Sequence, residues 1–181
     1  ITDADLDSEK KIIDTIKLSF PEDQFLAEES NRYTSLPDGR IWIIDPIDGT
    51  QSFVRGVPFY GTLIGLEIGD TVPLGVMAFP ALKTTLWAVL GQGAFRDHQE
   101  LHVSSVAKLS DATLLTTDAR PDFYGDKAAG FGRALSLCAR QRGWGDCYGY
   151  TLVTSGEAEV MLDPILAPWD CAPLVAILSE A

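Results

Sequence analysis

The sequence predicts a domain of mixed α and β structure. Three features predict it: apolar residues at helical spacing over 8–20, short β-branched and aromatic runs between 40 and 90, and helical patterns at 126–140 and from Trp169 onward.

The elements follow in chain order. Ile12, Ile13, Ile16 and Phe20 lie on one helical face, with Asp5, Asp7 and Ser8 available as caps and Pro21 as a stop. The run RIWIID, residues 40–45, reads as a buried strand. Two further runs, 60–68 and 72–79, are separated by Gly69-Asp70 and read as a hairpin, which 84–90 continues as a meander. Residues 91–100 look like turns. A helix is expected over 126–140 and a strand over 158–162. Pro164 and Pro168 then lead into a last helix, in whose first turn Pro173 is tolerated because no intrahelical donor is lost there. No internal repeat or low-complexity stretch is visible.

The charge balance narrows the function. Lys and Arg number 14 against 26 Asp and Glu, a net charge of −12, with 46% hydrophobic residues. That excludes the basic footprint of a nucleic-acid binder, and no apolar run approaches the ~18 residues of a membrane span. An acidic chain acting on an anion needs metal ions or backbone N–H groups to reverse the local field. Cys138, Cys147 and Cys171 form no CxxC pair and suggest no disulfide framework, which points to a reducing cytoplasm. No targeting peptide is visible at the start of the sequence.

The informative carboxylates stand at the ends of the apolar runs. Asp45-Pro46-Ile47-Asp48-Gly49-Thr50 follows the strand directly, placing two acids three apart on a turn that Pro46 restrains and Gly49 permits. Both could face one ion, with the Ile47 carbonyl between them. The N–H groups after Gly49 are free to hold a phosphate if a helix or nest begins there. Glu28-Glu29 supplies a second acidic pair, and Asp170 a carboxylate from far down the chain. Each has a plainer reading taken singly: Asp-Pro and Asp-Gly as turns, adjacent glutamates as a solvated helix end, Asp170 as a cap. Their combination with the strand before DPIDGT and the WD dipeptide before the last helix favours a site.

The run WIIDPIDGT, with the acidic pair before it and PWDCAPLVAILSEA far downstream, closely resembles the two signature motifs of the inositol monophosphatase family of Mg²⁺-dependent, lithium-sensitive phosphatases. The opening ITDADLDSE resembles the family's (V/I)TxxD segment. The resemblance implies an α+β fold, an αβαβα layered sandwich of the inositol monophosphatase/fructose-1,6-bisphosphatase (sugar phosphatase) type, often a homodimer. It implies Glu28, Asp45, the Ile47 carbonyl, Asp48 and Asp170 as ligands of two or three Mg²⁺ ions, with Gly49 and Thr50 touching phosphate. Glu28 and Thr50, the latter paired with Asp5, would hold the attacking water. An oxygen-only donor set without His or Cys agrees, since it suits a hard cation and disfavours zinc.

The stretch GWGDCYGYTLV, with TSGEAEVMLDPILAPWD, most resembles the histidinol-phosphate phosphatase branch. Gly145, Asp146 and Cys147 then match a substrate-contacting stretch, and Asp163 stands seven before Asp170, where inositol-type members carry a substrate-binding glutamate. Two acids there suit a leaving group carrying an amine and an imidazole. Read alone, Asp163 is an Asp-Pro turn and Asp146 a loop acid. The expected reaction is hydrolysis of L-histidinol phosphate, a small-molecule phosphate monoester, in histidine biosynthesis. The alternatives are an inositol or other sugar-alcohol monophosphatase, a nucleotide 3′-phosphatase, for which no basic or aromatic cluster stands out, and a non-catalytic scaffold. The expected unit is one phosphatase domain over 1–181, lacking the N-terminal helix or helices and the C-terminal strands of the family. Trp42 and Trp169 are expected beside the motifs in the core, and His98 and His102 at the surface.

Overall fold

The computed structural model describes residues 1–30 and 39–181. A seven-stranded sheet is laid down in chain order, β1 (Gln24–Ala27), β2 (Arg40–Asp48), β3 (Gly61–Ile68), β4 (Thr71–Phe79), β5 (Thr84–Val89), β6 (Ala94–Arg96) and β7 (Gln99–Glu100). Only β1 and β2 run parallel; every later neighbour is antiparallel. A second, all-parallel sheet has the order β10 (Val160–Leu162), β8 (Thr113–Thr116), β9 (Arg140–Arg142). The helices are α1 (Asp3–Lys17), the short α2 (Thr50–Val54), α3 (Ala128–Leu137), α4 (Asp146–Thr154) and α5 (Pro168–Glu180). Together they build the layered α+β sandwich, with α1 against β2, α5 across β2 to β5, and α4 bridging α5 to β8 and β10.

The expected hairpin and meander are present, with bounds shifted by a residue or two. The first helix starts at Asp3 rather than 8 and ends at Lys17, and the 126–140 helix is the shorter α3 behind a 3₁₀ segment, Pro121–Lys127. The strand after DPIDGT's apolar lead does not stop at 45: β2 carries both acids to Asp48. Residues 91–100, read as turns, contain β6 and β7. Strands β1, β8 and β9 and helices α2 and α4 escape the sequence reading.

The principal core lies between the large sheet and α5. Leu63, Met77, Phe79 and Leu86 face Leu174 and Ile177, all nearly or fully buried. A smaller cluster, Leu26, Ile41, Ile43 and Ala172, packs under Trp169. Trp42 donates its indole N–H to Asp23 at 2.8 Å. His98 and His102 are exposed, as expected.

Helix α5 approaches the sheet closely because of one glycine pair. Gly65 and Gly75 are cross-strand partners on β3 and β4. A Cβ at Gly75 would lie 2.3 Å from the Pro173 carbonyl oxygen, and one at Gly65 would lie 2.8 Å from the Ala172 Cβ. Two side chains are therefore missing where the helix backbone rests. Pro173 is not in the first turn, as the sequence suggested, but five residues past the first helical position. There it denies the Trp169 carbonyl its usual partner. The residue is fully buried with its backbone against the glycine notch, and packing outweighs the lost hydrogen bond.

Replacing Gly75 with Ala forces helix and sheet apart and is expected to destabilise the fold by about 1–3 kcal/mol or more. Urea unfolding checks it: the midpoint falls while the slope stays constant.

Candidate active site

The site begins with a register fault in β2. Asp45 pairs with Leu63, but Asp48, three residues on, pairs with Gly61, only two residues back along β3. The extra residue is a β-bulge at Pro46-Ile47, where a proline without an N–H is tolerated. In a regular strand, residues three apart point to opposite faces. One inserted residue turns them to the same face, the one that α5 covers. The Ile47 N–H donates to Asp45 Oδ1 at 2.9 Å and fixes that carboxylate.

Two helix beginnings complete the cluster. Asp170, third residue of α5, accepts the Ala167 N–H at 2.7 Å, so the capping bond that starts the helix also holds the carboxylate over the sheet. The Cys147 N–H, in the first turn of α4, donates to Asp48 Oδ2. One oxygen from each of Asp45, Asp48 and Asp170 lies within 4.8 Å of the others. Glu28, which follows β1 and donates its N–H to the Ile44 carbonyl at 3.1 Å, brings its carboxyl beside that of Asp45.

Like charges this close cannot all ionise without a cation. Burial first, then the charges of Asp48, Glu28 and Asp170, push Asp45 up to about 10. Burial likewise pushes Asp48 up to about 7, against the opposing Cys147 hydrogen bond, and Asp146 up to about 6 with Asp163 and Asp170 adding to it. Glu28 and Asp170 are raised by burial as well. Cys147 is raised well above the ordinary thiol value by burial and by Asp48, so the thiol stays protonated and is a poor ligand. The residues present therefore fit a divalent, oxygen-preferring ion: clustered carboxylates and, among the described residues lining the adjoining cleft, no basic side chain to pair with them.

A cleft of about 210 Å³ opens beside the cluster. Its acids are Asp48, Asp118, Asp146, Asp163 and Asp170, and none of its described lining residues is basic. Asp146 adopts a left-handed backbone conformation (φ 50°), and its N–H donates to Thr117 Oγ1 at 2.7 Å. Asp163 accepts the Thr117 N–H at 3.3 Å and stands beside the Tyr150 hydroxyl.

The structure thus brings Asp45, Asp48 and Asp170 together, places Glu28 beside them, and sets Asp146, Cys147 and Asp163 around the adjoining cleft. Gly145 is the residue before α4, where a Cβ would strike the Thr117 Cα. Gly49, at φ 79°, opens α2. The Thr50–Asp5 pair is not formed. Thr50 Oγ1 donates to the Ile47 carbonyl at 3.1 Å instead, while Asp5, fully buried, accepts the Thr2 N–H on one oxygen and has no partner on the other. Sequence reasoning missed Thr117, Asp118, Phe123 and Tyr150. For Tyr150 a signal existed, since it falls one helical turn after Asp146.

Over residues 1–181 the chain matches the inositol monophosphatase family, and it belongs to that family of phosphatases. It is 42% identical over 181 residues to a histidinol-phosphatase of Chlorobaculum parvum, covering 100% of this chain and 70% of that one. With a histidinol-phosphatase of Mycobacterium tuberculosis the identity is 40% over 192 residues, covering 100% and 71%. The solved structure of an IMPase of Thermotoga maritima superposes with a TM-score of 0.88 at 33% identity, covering 100% of this chain and 69% of that chain.

The raised carboxyls predict a pH dependence. An unfolded Asp ionises near 3.8, whereas folded Asp48 and Asp45 hold their protons to about 7 and about 10. The folded state binds more protons across that window, so metal-free stability falls as pH rises from 4 toward 10. Melting temperature in EDTA is expected to drop between pH 5 and pH 9 (on the order of one to several degrees). Added Mg²⁺ should raise it more at pH 9, where fewer protons compete for the carboxylates. A flat profile with equal increments contradicts this account.

Proposed function

We propose that the chain is a Mg²⁺-dependent phosphomonoesterase that hydrolyses L-histidinol phosphate to L-histidinol and phosphate. The observation that carries this reading is the cleft: Asp146 and Asp163 face it beside the carboxylate cluster, with no basic group among the described lining residues. Such a cleft suits a leaving group bearing positive charge, because charge-assisted hydrogen bonds to a cation outweigh those to neutral hydroxyls. The 42% and 40% identities to proteins named histidinol-phosphatase support the same choice.

Glu28, Asp45, Asp48, Asp170 and the Ile47 carbonyl would hold the metal. When bound, Mg²⁺ supplies positive charge to the phosphoryl oxygens and the departing oxygen and favours ionisation of the attacking water. The chain's own groups do the positioning. Gly49 and Thr50, at the start of α2, receive the phosphate. Glu28 accepts a hydrogen bond from the attacking water and orients it in line with the scissile bond. Thr50 holds the same water, and the partnerless buried oxygen of Asp5 is the acceptor that this reading assigns to the Thr50 hydroxyl. Asp146 and Asp163 fix the leaving group so that its ester oxygen departs away from the water. A place in histidine biosynthesis, a cytoplasmic setting and a homodimer complete the reading; no helix of the described residues is long and apolar enough to cross a membrane.

Phosphate release by the full-length protein with Mg²⁺ tests this, comparing histidinol phosphate, inositol-1-phosphate and adenosine 3′,5′-bisphosphate. Histidinol phosphate is expected to dominate. Preference for inositol-1-phosphate would overturn the substrate and leave the metal site standing; no turnover of any ester would overturn the catalytic reading. Asp45→Asn should keep the fold and lower kcat by about a hundredfold or more. Asp146→Ala should raise KM for histidinol phosphate about ten- to a hundredfold while changing inositol-1-phosphate little.

A further inference from the structure

Three apolar side chains at the mouth of the cleft are more exposed than their type favours: Phe123 at 39%, Leu166 at 45% and Ile165 at 71%. A single exposed hydrophobic residue needs no explanation, but these three come from two separate loops and line one cavity. Phe123 lies in the 3₁₀ segment after β8, and Ile165 and Leu166 lie between β10 and α5, in a loop stiffened by Pro164 and Pro168. Arg120 is forked onto Asp118, with Nη2 at 2.8 Å and Nε at 3.0 Å from Oδ2, and its guanidinium sits 4.0 Å over the Phe123 ring. That stack holds the phenyl at the rim, next to the cleft in which Asp146 and Asp163 stand.

We propose that Phe123, Ile165 and Leu166 form a subsite for a flat ring on the leaving group and are specificity-determining residues for the reaction. The inference rests on the reading above, that the leaving group carries a cationic nitrogen. It adds which side chains receive the planar ring of that group, namely the three at the lip rather than the acids. Asp146 and Asp163 satisfy nitrogen donors, while the Ile165 and Leu166 side chains and the part of Phe123 that Arg120 leaves open offer carbon surface against which a ring buries area. A polyol in the same place would set hydroxyl groups against Phe, Ile and Leu without hydrogen-bond partners, and that desolvation is uncompensated. The lip therefore selects for a flat aromatic ring and rejects a polyol, cyclic or open.

The test uses the full-length enzyme with Mg²⁺ and the variants Phe123→Ala, Ile165→Ser and the double variant. All sit at exposed positions, and unchanged thermal melts verify the fold. Steady-state kinetics are measured on histidinol phosphate, on 2-phenylethyl phosphate, which has an aromatic ring and no amine, and on inositol-1-phosphate, whose ring is a puckered polyol and which has no amine. The double variant is expected to raise KM for both aromatic esters about tenfold, with kcat within about twofold and inositol-1-phosphate unchanged or improved. Unchanged KM for the aromatic esters, or an equal loss on all three substrates, overturns the subsite. If wild-type enzyme favours 2-phenylethyl phosphate over inositol-1-phosphate yet shows no preference for histidinol phosphate, the amine reading fails and the lip stands. If it prefers histidinol phosphate and the double variant keeps that preference, the lip fails and the substrate reading stands.

Discussion

One inserted residue in β2 governs the site. Without the bulge at Pro46-Ile47, Asp45 and Asp48 would point to opposite faces of the sheet, one of them away from α5. With it, both reach the face on which Asp170 and Cys147 begin their helices, and the carboxylates converge within 4.8 Å. The same irregularity frees the Pro46 carbonyl for the Thr62 hydroxyl, at 2.9 Å, and leaves Ile47 to serve both the Asp45 carboxylate and the Thr50 hydroxyl. A short kink thus replaces ordinary ladder bonding with hydrogen bonds that aim the acids.

The second constraint is how near α5 can come. Asp170 is fixed to its own helix by the Ala167 N–H, so its position relative to Asp45 depends on where that helix rests. The Gly65/Gly75 notch seats Ala172-Pro173 directly on the sheet, only two to three residues from Asp170. Backbone-to-sheet contact is stiffer than contact through long side chains, because close-packed atoms leave no slack. The misplaced expectation for Pro173 is resolved by the same contact. A proline in the second turn weakens the helix locally, and the weak place is the one clamped against the sheet.

The legibility of the sequence follows the range of the interactions. Strong local signals were readable: the RIWIID run, the Gly69-Asp70 hairpin, and the acids of DPIDGT and PWD. The short parallel strands β1, β8 and β9 were not, since three or four residues carry little periodicity and their pairing is with distant segments. Helix α4 was hidden by Gly145 and Gly149, which look like turn residues. Both are packing glycines: a Cβ at 145 would lie 2.3 Å from the Thr117 Cα, and one at 149 would lie 2.5 Å from the Trp144 carbonyl oxygen. The bulge was invisible because it exists only relative to β3. DPIDGT therefore looked like a turn that happened to hold two acids, whereas it is a strand distorted to aim them. The Thr50 hydroxyl went unplaced for a similar reason, because a nearby carbonyl competes for it and only coordinates reveal which acceptor prevails.

The accumulated negative charge has two consequences that share one cause. Burying Asp45, Asp48 and Asp170 together raises their proton affinity, and a divalent ion would have to displace those protons, so its binding would strengthen as pH rises. The field does not stop at the ligands. Asp146, which stands against Gly49, is itself raised first by burial and then by Asp163 and Asp170, so that part of the cavity also favours positive charge. On the proposed reading, an anionic phosphoryl group would be accepted only where metal ions screen the carboxylates, and a cationic leaving group only where they do not. Substrate orientation would follow from that division, with the phosphate at the β2 end and the amine toward Asp163 and β10. The proposed apolar lip of Phe123, Ile165 and Leu166 would add what charge cannot supply, discrimination by shape among leaving groups that carry the same cation.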